Sequence, residues 1–146
     1  MNVALLAVAV RVWLTELLIS GFNYFVLMHL IYQPLWGELV AHQIGVSTRI
    51  VYIFILAYLL LRYAKTYRTV DLFQIGLLWL SLALVFEWGG SLAIRRSVHE
   101  TLVGWHINRG YMWPYVLLAY LLANPIVGLL LKPHRPAATL EPRAST

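Results

Sequence analysis

Glu16, Glu87 and Arg49 are ionisable residues set in apolar surroundings, and Asn23 and Asn124 add two carboxamides in similar company. An isolated charge among apolar groups is costly, so each of these side chains needs a partner, a proton or a ligand. Glu16, Ser20 and Asn23 recur at steps of four and three, which places them on one face of a helix. Read functionally, two acids so placed mark a proton or cation path, a bound headgroup or a quinone contact. Read structurally, they are ties that fix the register of neighbouring helices, and for a chain this small the structural reading is the simpler one.

A second group lies in residues 97–113 and includes His99, Glu100, Trp105, His106 and Arg109. A zinc-protease site needs two histidines four residues apart, so that both point at one ion. His99 and His106 are two turns apart, about 10 Å along a helix. They do not share a metal, and no metal site is expected. Ser97-Val98-His99-Glu100 instead matches a capping box, in which a serine caps the helix and a glutamate three residues on reaches back. Ser81, Ser91 and Ser97 have no base placed by spacing, the nucleophile-elbow pattern is absent, and no glycine loop cradles phosphate. With no cysteine, thiolate metal sites, cysteine nucleophiles and thioether haem attachment drop out.

The elements that must position these residues follow from composition. The chain has 146 residues, 61% of them hydrophobic and 12% charged. Soluble domains carry about 25% charged residues, so this chain cannot supply a polar skin for a core of its size. Four runs are long enough to cross about 30 Å of hydrocarbon as helices. They lie at about 12–32, 46–63, 72–94 and 111–131, and residues 2–10 extend the first toward the N-terminus. No stretch alternates in polarity as a barrel strand does. A cleaved leader is disfavoured, because Arg11 follows apolar residues and the run after it is too long. The expected fold is an all-α four-helix transmembrane bundle with a short outer interfacial amphipathic helix over Val98–His106. Residues 1–132 form the membrane domain, and 133–146, with three prolines, form a flexible cytoplasmic tail. No internal repeat of helix pairs is visible.

Counting 1.5 Å per residue from the cytoplasmic ends puts Glu87 about 22 Å up the third helix and Arg49 about 20 Å up the second. Matched depth on antiparallel helices predicts an Arg49–Glu87 ion pair or a water-bridged contact, with His29 and Asn23 close enough to join. Glu16, about 6 Å into a helix that starts near Val12, is expected to meet Asn124 or Arg11. Pro125 removes a backbone donor and leaves the Leu121 carbonyl free. Of the histidines only His29 falls within a span, so b-type haem is unlikely to have a ligand pair. No cofactor is expected, and pigment or quinone contact stays open.

Between the first two spans, Gln33–Gly45 reads as a loop that lies on the membrane. Pro34 opens it, Trp36 sits at the headgroup level, and Leu39, Val40 and Ile44 are apolar. Asn108-Arg109-Gly110 ends the outer amphipathic helix, and Trp113-Pro114 starts the fourth span. Basic residues set orientation. Arg11, Arg62, Lys65, Arg68, Lys132, Arg135 and Arg143 fall on one side, against Arg49, Arg95, Arg96 and Arg109 on the other. Both termini are therefore expected in the cytoplasm of a bacterial inner membrane. Basic edges facing anionic lipid account for the net charge of +5 without a nucleic acid partner.

Taken in order, Glu16, Gln43-Ile44-Gly45, Phe86-Glu87, Glu100, Trp105, Arg109-Gly110-Tyr111-Met112-Trp113 and Asn124-Pro125 form a pattern. The pattern resembles an uncharacterised family of small four-span bacterial inner-membrane proteins of about this length. The likeness runs over nearly the whole chain. Where that family has an Asp-Tyr-Asn run, this chain has Trp105-His106-Ile107-Asn108. The resemblance implies four helices and implies no activity. Three functional expectations follow. The first is a non-enzymatic accessory or structural subunit, docked to other membrane subunits or to itself. The second is a small proton or cation transporter or channel using Glu16 and Glu87. The third is a lipid- or quinone-interacting enzyme using Glu87 and the 99–109 loop.

Overall fold

The computed structural model describes residues 3–64 and 67–131. Among these the secondary structure is entirely helical. The first helix begins as α1 (Val3–Phe22) and widens into π-type turns over Asn23–Tyr32. It then closes with the short α2 (Gln33–Trp36). After one residue comes α3 (Glu38–Ala64), followed by α4 (Thr69–Ala93), the short α5 (Val98–Leu102) and α6 (Trp113–Leu131). Four of these units are long and apolar enough to cross a membrane, namely Val3–Trp36, Glu38–Ala64, Thr69–Ala93 and Trp113–Leu131. Each contains an 18-residue stretch with mean hydropathy between 1.8 and 2.1. In lipid a backbone must bond to itself, so runs of this composition become helices. The chain is a multi-pass membrane protein with an all-α four-helix bundle.

Two boundaries differ from expectation. The first span starts near Val3 rather than Val12. The expected loop 33–45 is mostly helix, broken only at Gly37, whose φ of +82° suits glycine. Pro34 does not stop the chain there. It occupies the first turn of α2, where no backbone N–H is needed. His42 and Gln43, polar residues that read as loop, lie in α3 and tie it to the outer connection. The Met112 amide donates to His42 Nε2 at 3.1 Å, and Gln43 Nε2 donates to the Gly110 carbonyl at 3.1 Å.

α3, α4 and α6 enclose the core, where Trp79, Tyr120, Ile53, Leu60, Leu72 and Ile75 are fully buried. A Cβ at Gly76 would overlap the Leu121 carbonyl, so only glycine lets α4 approach α6 this closely. Pro125 lies inside α6 and cannot donate to that carbonyl, which is the group expected to be free. α1 joins α4 through the Trp79 indole, whose Nε1 donates to the Ala9 carbonyl at 3.0 Å. The α1–α4 seam is the thinnest in the bundle.

The outer connection begins as expected. Ser97 Oγ accepts the Glu100 amide at 3.2 Å, and Glu100 Oε2 accepts the Ser97 amide at 2.8 Å. α5 is shorter than the expected 98–106 helix. Past Leu102 the chain tightens into 3₁₀ turns at Val103–Trp105 and Ile107–Arg109, and Gly110 closes the segment at φ +87°. Its buried position is Thr101, whereas Val98 is exposed. The expected apolar side is therefore not gathered on one face. The expected tail, 133–146, lies outside the described residues.

Candidate functional site

Glu16 is completely buried and forms the centre of a polar cluster in the bundle. Arg49 of α3 donates from Nε to Glu16 Oε1 at 3.0 Å and from Nη2 to Oε2 at 3.5 Å. Tyr120 of α6 donates to Oε2 at 2.5 Å and accepts from Arg49 Nη2 at 2.8 Å. Ser20, one turn above Glu16, donates to Oε1 at 2.5 Å. Since its proton is committed there, Tyr52 supplies the donor in the 2.8 Å Tyr52–Ser20 contact. One carboxylate, one guanidinium and three hydroxyls thus close into a network without net charge. A pair buried without such bonds would be a liability.

Arg49 therefore pairs with Glu16 rather than with Glu87. The cause lies in the element boundary. With α1 starting at Val3, Glu16 stands about 20 Å from the inner end of its helix, level with Arg49 at about 22 Å from the end of α3. Asn124 lies only about 10 Å from the inner end of α6, whereas Tyr120 lies about 16 Å up. That is why Glu16 meets Tyr120 and not Asn124. The Asn124 carboxamide is fully buried with neither its nitrogen nor its oxygen bonded. Arg11, the other candidate partner, is exposed.

Glu87 is held by two indoles. Trp105 Nε1 donates to Oε1 at 3.0 Å, and Trp113 Nε1 donates to Oε2 at 2.9 Å. The Arg49 guanidinium lies over the Trp113 ring, 5.2 Å from its centroid, and 5.7 Å from that of Tyr120. Trp113 thus stands between the two groups expected to pair. Its face receives the cation and its edge donates to the carboxylate. Among the described residues no cation lies within salt-bridge distance of Glu87.

Above the Glu16 cluster the bundle opens into a cavity of about 680 Å³. It lies between the outer part of the first helix, α3, the outer end of α4 and the outer connection. Arg49, Glu87 and Trp113 line it, with aromatic walls from Trp13 and Phe86. Trp13 and Phe86 meet edge to face, centroids 6.4 Å apart. Glu38, Arg96 and Glu100 are further charged members of the lining. Asn23 donates from Nδ2 to the Gly45 carbonyl at 2.9 Å, but its oxygen is unbonded. The Trp13 indole N–H is likewise buried and unbonded. Both side chains line the cavity. Such orphaned groups are uncommon in a settled interior.

The remaining candidates are spread out. His29 bonds to Gln33 at 2.6 Å and lines the cavity. His106 Nδ1 lies 3.2 Å from the Val103 carbonyl, while His99 and Arg109 are exposed. Among the described residues no three metal-ligating side chains gather. The sequence reasoning passed over Tyr52, Tyr120 and the role of Trp113. Tyr120 is seven residues past Trp113 on one face of α6, and that spacing is the signal that could have found it.

This arrangement can hold an amphipathic molecule, but it offers no nucleophile with a base beside it. Compared with protein-family models, curated proteins and solved structures, the chain matches none.

Proposed function

We propose that the protein binds a small amphipathic molecule in the outer half of the bilayer. It does so without chemistry, either alone or as the ligand-holding subunit of a larger membrane assembly. The observation that carries this reading is the 680 Å³ cavity with a carboxylate and a guanidinium in its wall, a size that suits a drug-sized ligand. The unbonded Asn23 oxygen and Trp13 N–H supply an acceptor and a donor for the same molecule. Purification in mild detergent followed by native mass spectrometry tests the proposal. The expected result is a retained small molecule that Gly21→Leu displaces, since a side chain at Gly21 enters open space beside the cavity. A chain that retains nothing, and gains no thermal stability from any fraction of a lipid extract, overturns it. The same sample tests the subunit reading, which a chain migrating alone as a monomer would defeat.

Cation or proton transport is a second reading, supported by Glu87 in the cavity wall. Glu16, with both oxygens occupied by bonds, is read as a structural tie. Flux in proteoliposomes is then expected to fall in Glu87→Gln, and flux that survives this change removes the idea. The protein is read as residing in a bacterial inner membrane with both termini cytoplasmic. Because Arg49 is held inside the bundle, it counts for neither side, and the basic bias toward the cytoplasm grows.

A further inference from the structure

Resting on the cavity reading above, we infer that the ligand is a lipophilic monocation whose positive centre is received by Glu87 among aromatic rings. The argument is one of charge. In the cavity lining three carboxylates, Glu38, Glu87 and Glu100, face two guanidiniums, Arg49 and Arg96. This excess of one negative charge occurs in a chain whose net charge is +5. Arg49 is unavailable to an anion, because Glu16 lies behind it at 3.0 Å and two aromatic rings flank it. Glu100 is engaged in capping α5. Glu87 is different. Each of its oxygens accepts one indole N–H and keeps a further lone pair for a donor or a cation. Two neutral donors orient the carboxylate without neutralising it.

The surroundings select the rest of the ligand. Trp13, Phe86 and Trp113 offer ring faces and edges beside Glu87, and such walls attract a cation whose charge is spread over apolar groups. A hydrated inorganic ion would gain nothing from them. The unbonded Asn23 oxygen at the opposite wall is an acceptor, again suited to a donor or a positive group. The thin α1–α4 seam borders the cavity and would admit a ligand from lipid.

Tetraphenylphosphonium and tetraphenylborate are close in shape and opposite in charge, and triphenylphosphine oxide is a neutral relative. Binding of each to the purified full chain in detergent is measured by equilibrium dialysis, with tryptophan fluorescence as a second readout. The expected result is saturable binding of the phosphonium at one site per chain and no saturable binding of the borate. Glu87→Gln should weaken phosphonium binding about tenfold or more, and Glu87→Asp should keep part of it. Equal binding of the borate or the oxide overturns the cation inference while leaving the cavity reading in place. Unchanged phosphonium binding in Glu87→Gln overturns the role given to Glu87. Should that variant fail to fold, the contrast between the ions on the unaltered chain decides. If none of the three binds, or if Gly21→Leu binds the phosphonium as well as the unaltered chain, the cavity reading falls as well.

Discussion

Removing one partner from the Glu16–Arg49 pair leaves an ion with 0% side-chain exposure in a bundle interior. Loss of one member of a buried pair costs about 3–5 kcal/mol, so Arg49→Ala should unfold far more readily than the parent in a detergent or denaturant titration. Replacing both, as Glu16→Leu with Arg49→Met, should restore much of the loss. A double variant as unstable as Arg49→Ala would show that the network does not act through charge. Trp113 gives a second residue-scale test. Trp113→Phe keeps a ring beneath Arg49 but removes a bond to Glu87, and such a bond to a charged group contributes about 1.5–3 kcal/mol. A melting temperature unchanged from the parent would mean that Glu87 finds another donor. The ionisable residues of this site were legible in the sequence, because charges in apolar runs announce themselves. Their pairing was not. It depends on relative depth, and depth depends on where α1 starts. Asn2 to Val10 are as apolar as the span itself, so composition carries no mark of the start.

Elements show the same division. Four spans can be read from length and hydropathy alone, since lipid leaves a backbone little choice but helix. The break between the first two spans was read too broadly, because polar His42 and Gln43 resemble loop residues until the outer connection supplies their partners. The contact of α4 with α6 rests on glycine, and the two glycines there should respond differently. At Gly76 an added methyl meets the Leu121 backbone, which cannot swing aside, whereas at Gly128 it meets the Leu72 side chain. Gly76→Ala should therefore cost about 1–3 kcal/mol, and Gly128→Ala less, in the same denaturation assay. Equal costs would indicate that the helices slide rather than strain. α5 supplies a pH test. Its capping carboxylate, Glu100, titrates below the ordinary 4.5, chiefly because it accepts the Ser97 backbone N–H and secondly the Ser97 hydroxyl. A lowered value means that the cap is fully formed above 4.5 and is lost as the pH falls through the lowered pKa. The Ser97 amide proton resonance should shift with a midpoint below 4.5, and a midpoint at or above 4.5 would remove the cap.

At the scale of the whole molecule, the proposed orientation places residues 94–112 outside and Thr69 inside. The absence of native cysteines allows a direct check. A cysteine at the exposed Ser97 should react with an impermeant maleimide on intact cells, whereas one at Thr69 should react only after the membrane is opened. The reverse pattern would invert the protein. The four spans are also unequal. Val3–Trp36 contains 34 residues and Trp113–Leu131 only 19, lengths of about 50 Å and about 29 Å at an α-helical rise. Acyl chains touching one flank must therefore stretch or let the helix lean, while those on the opposite flank must shorten. The protein imposes a wedge on its annulus of lipid, and its comfort in a bilayer becomes a function of acyl-chain length, with neighbours and location sorted by thickness as well as by affinity.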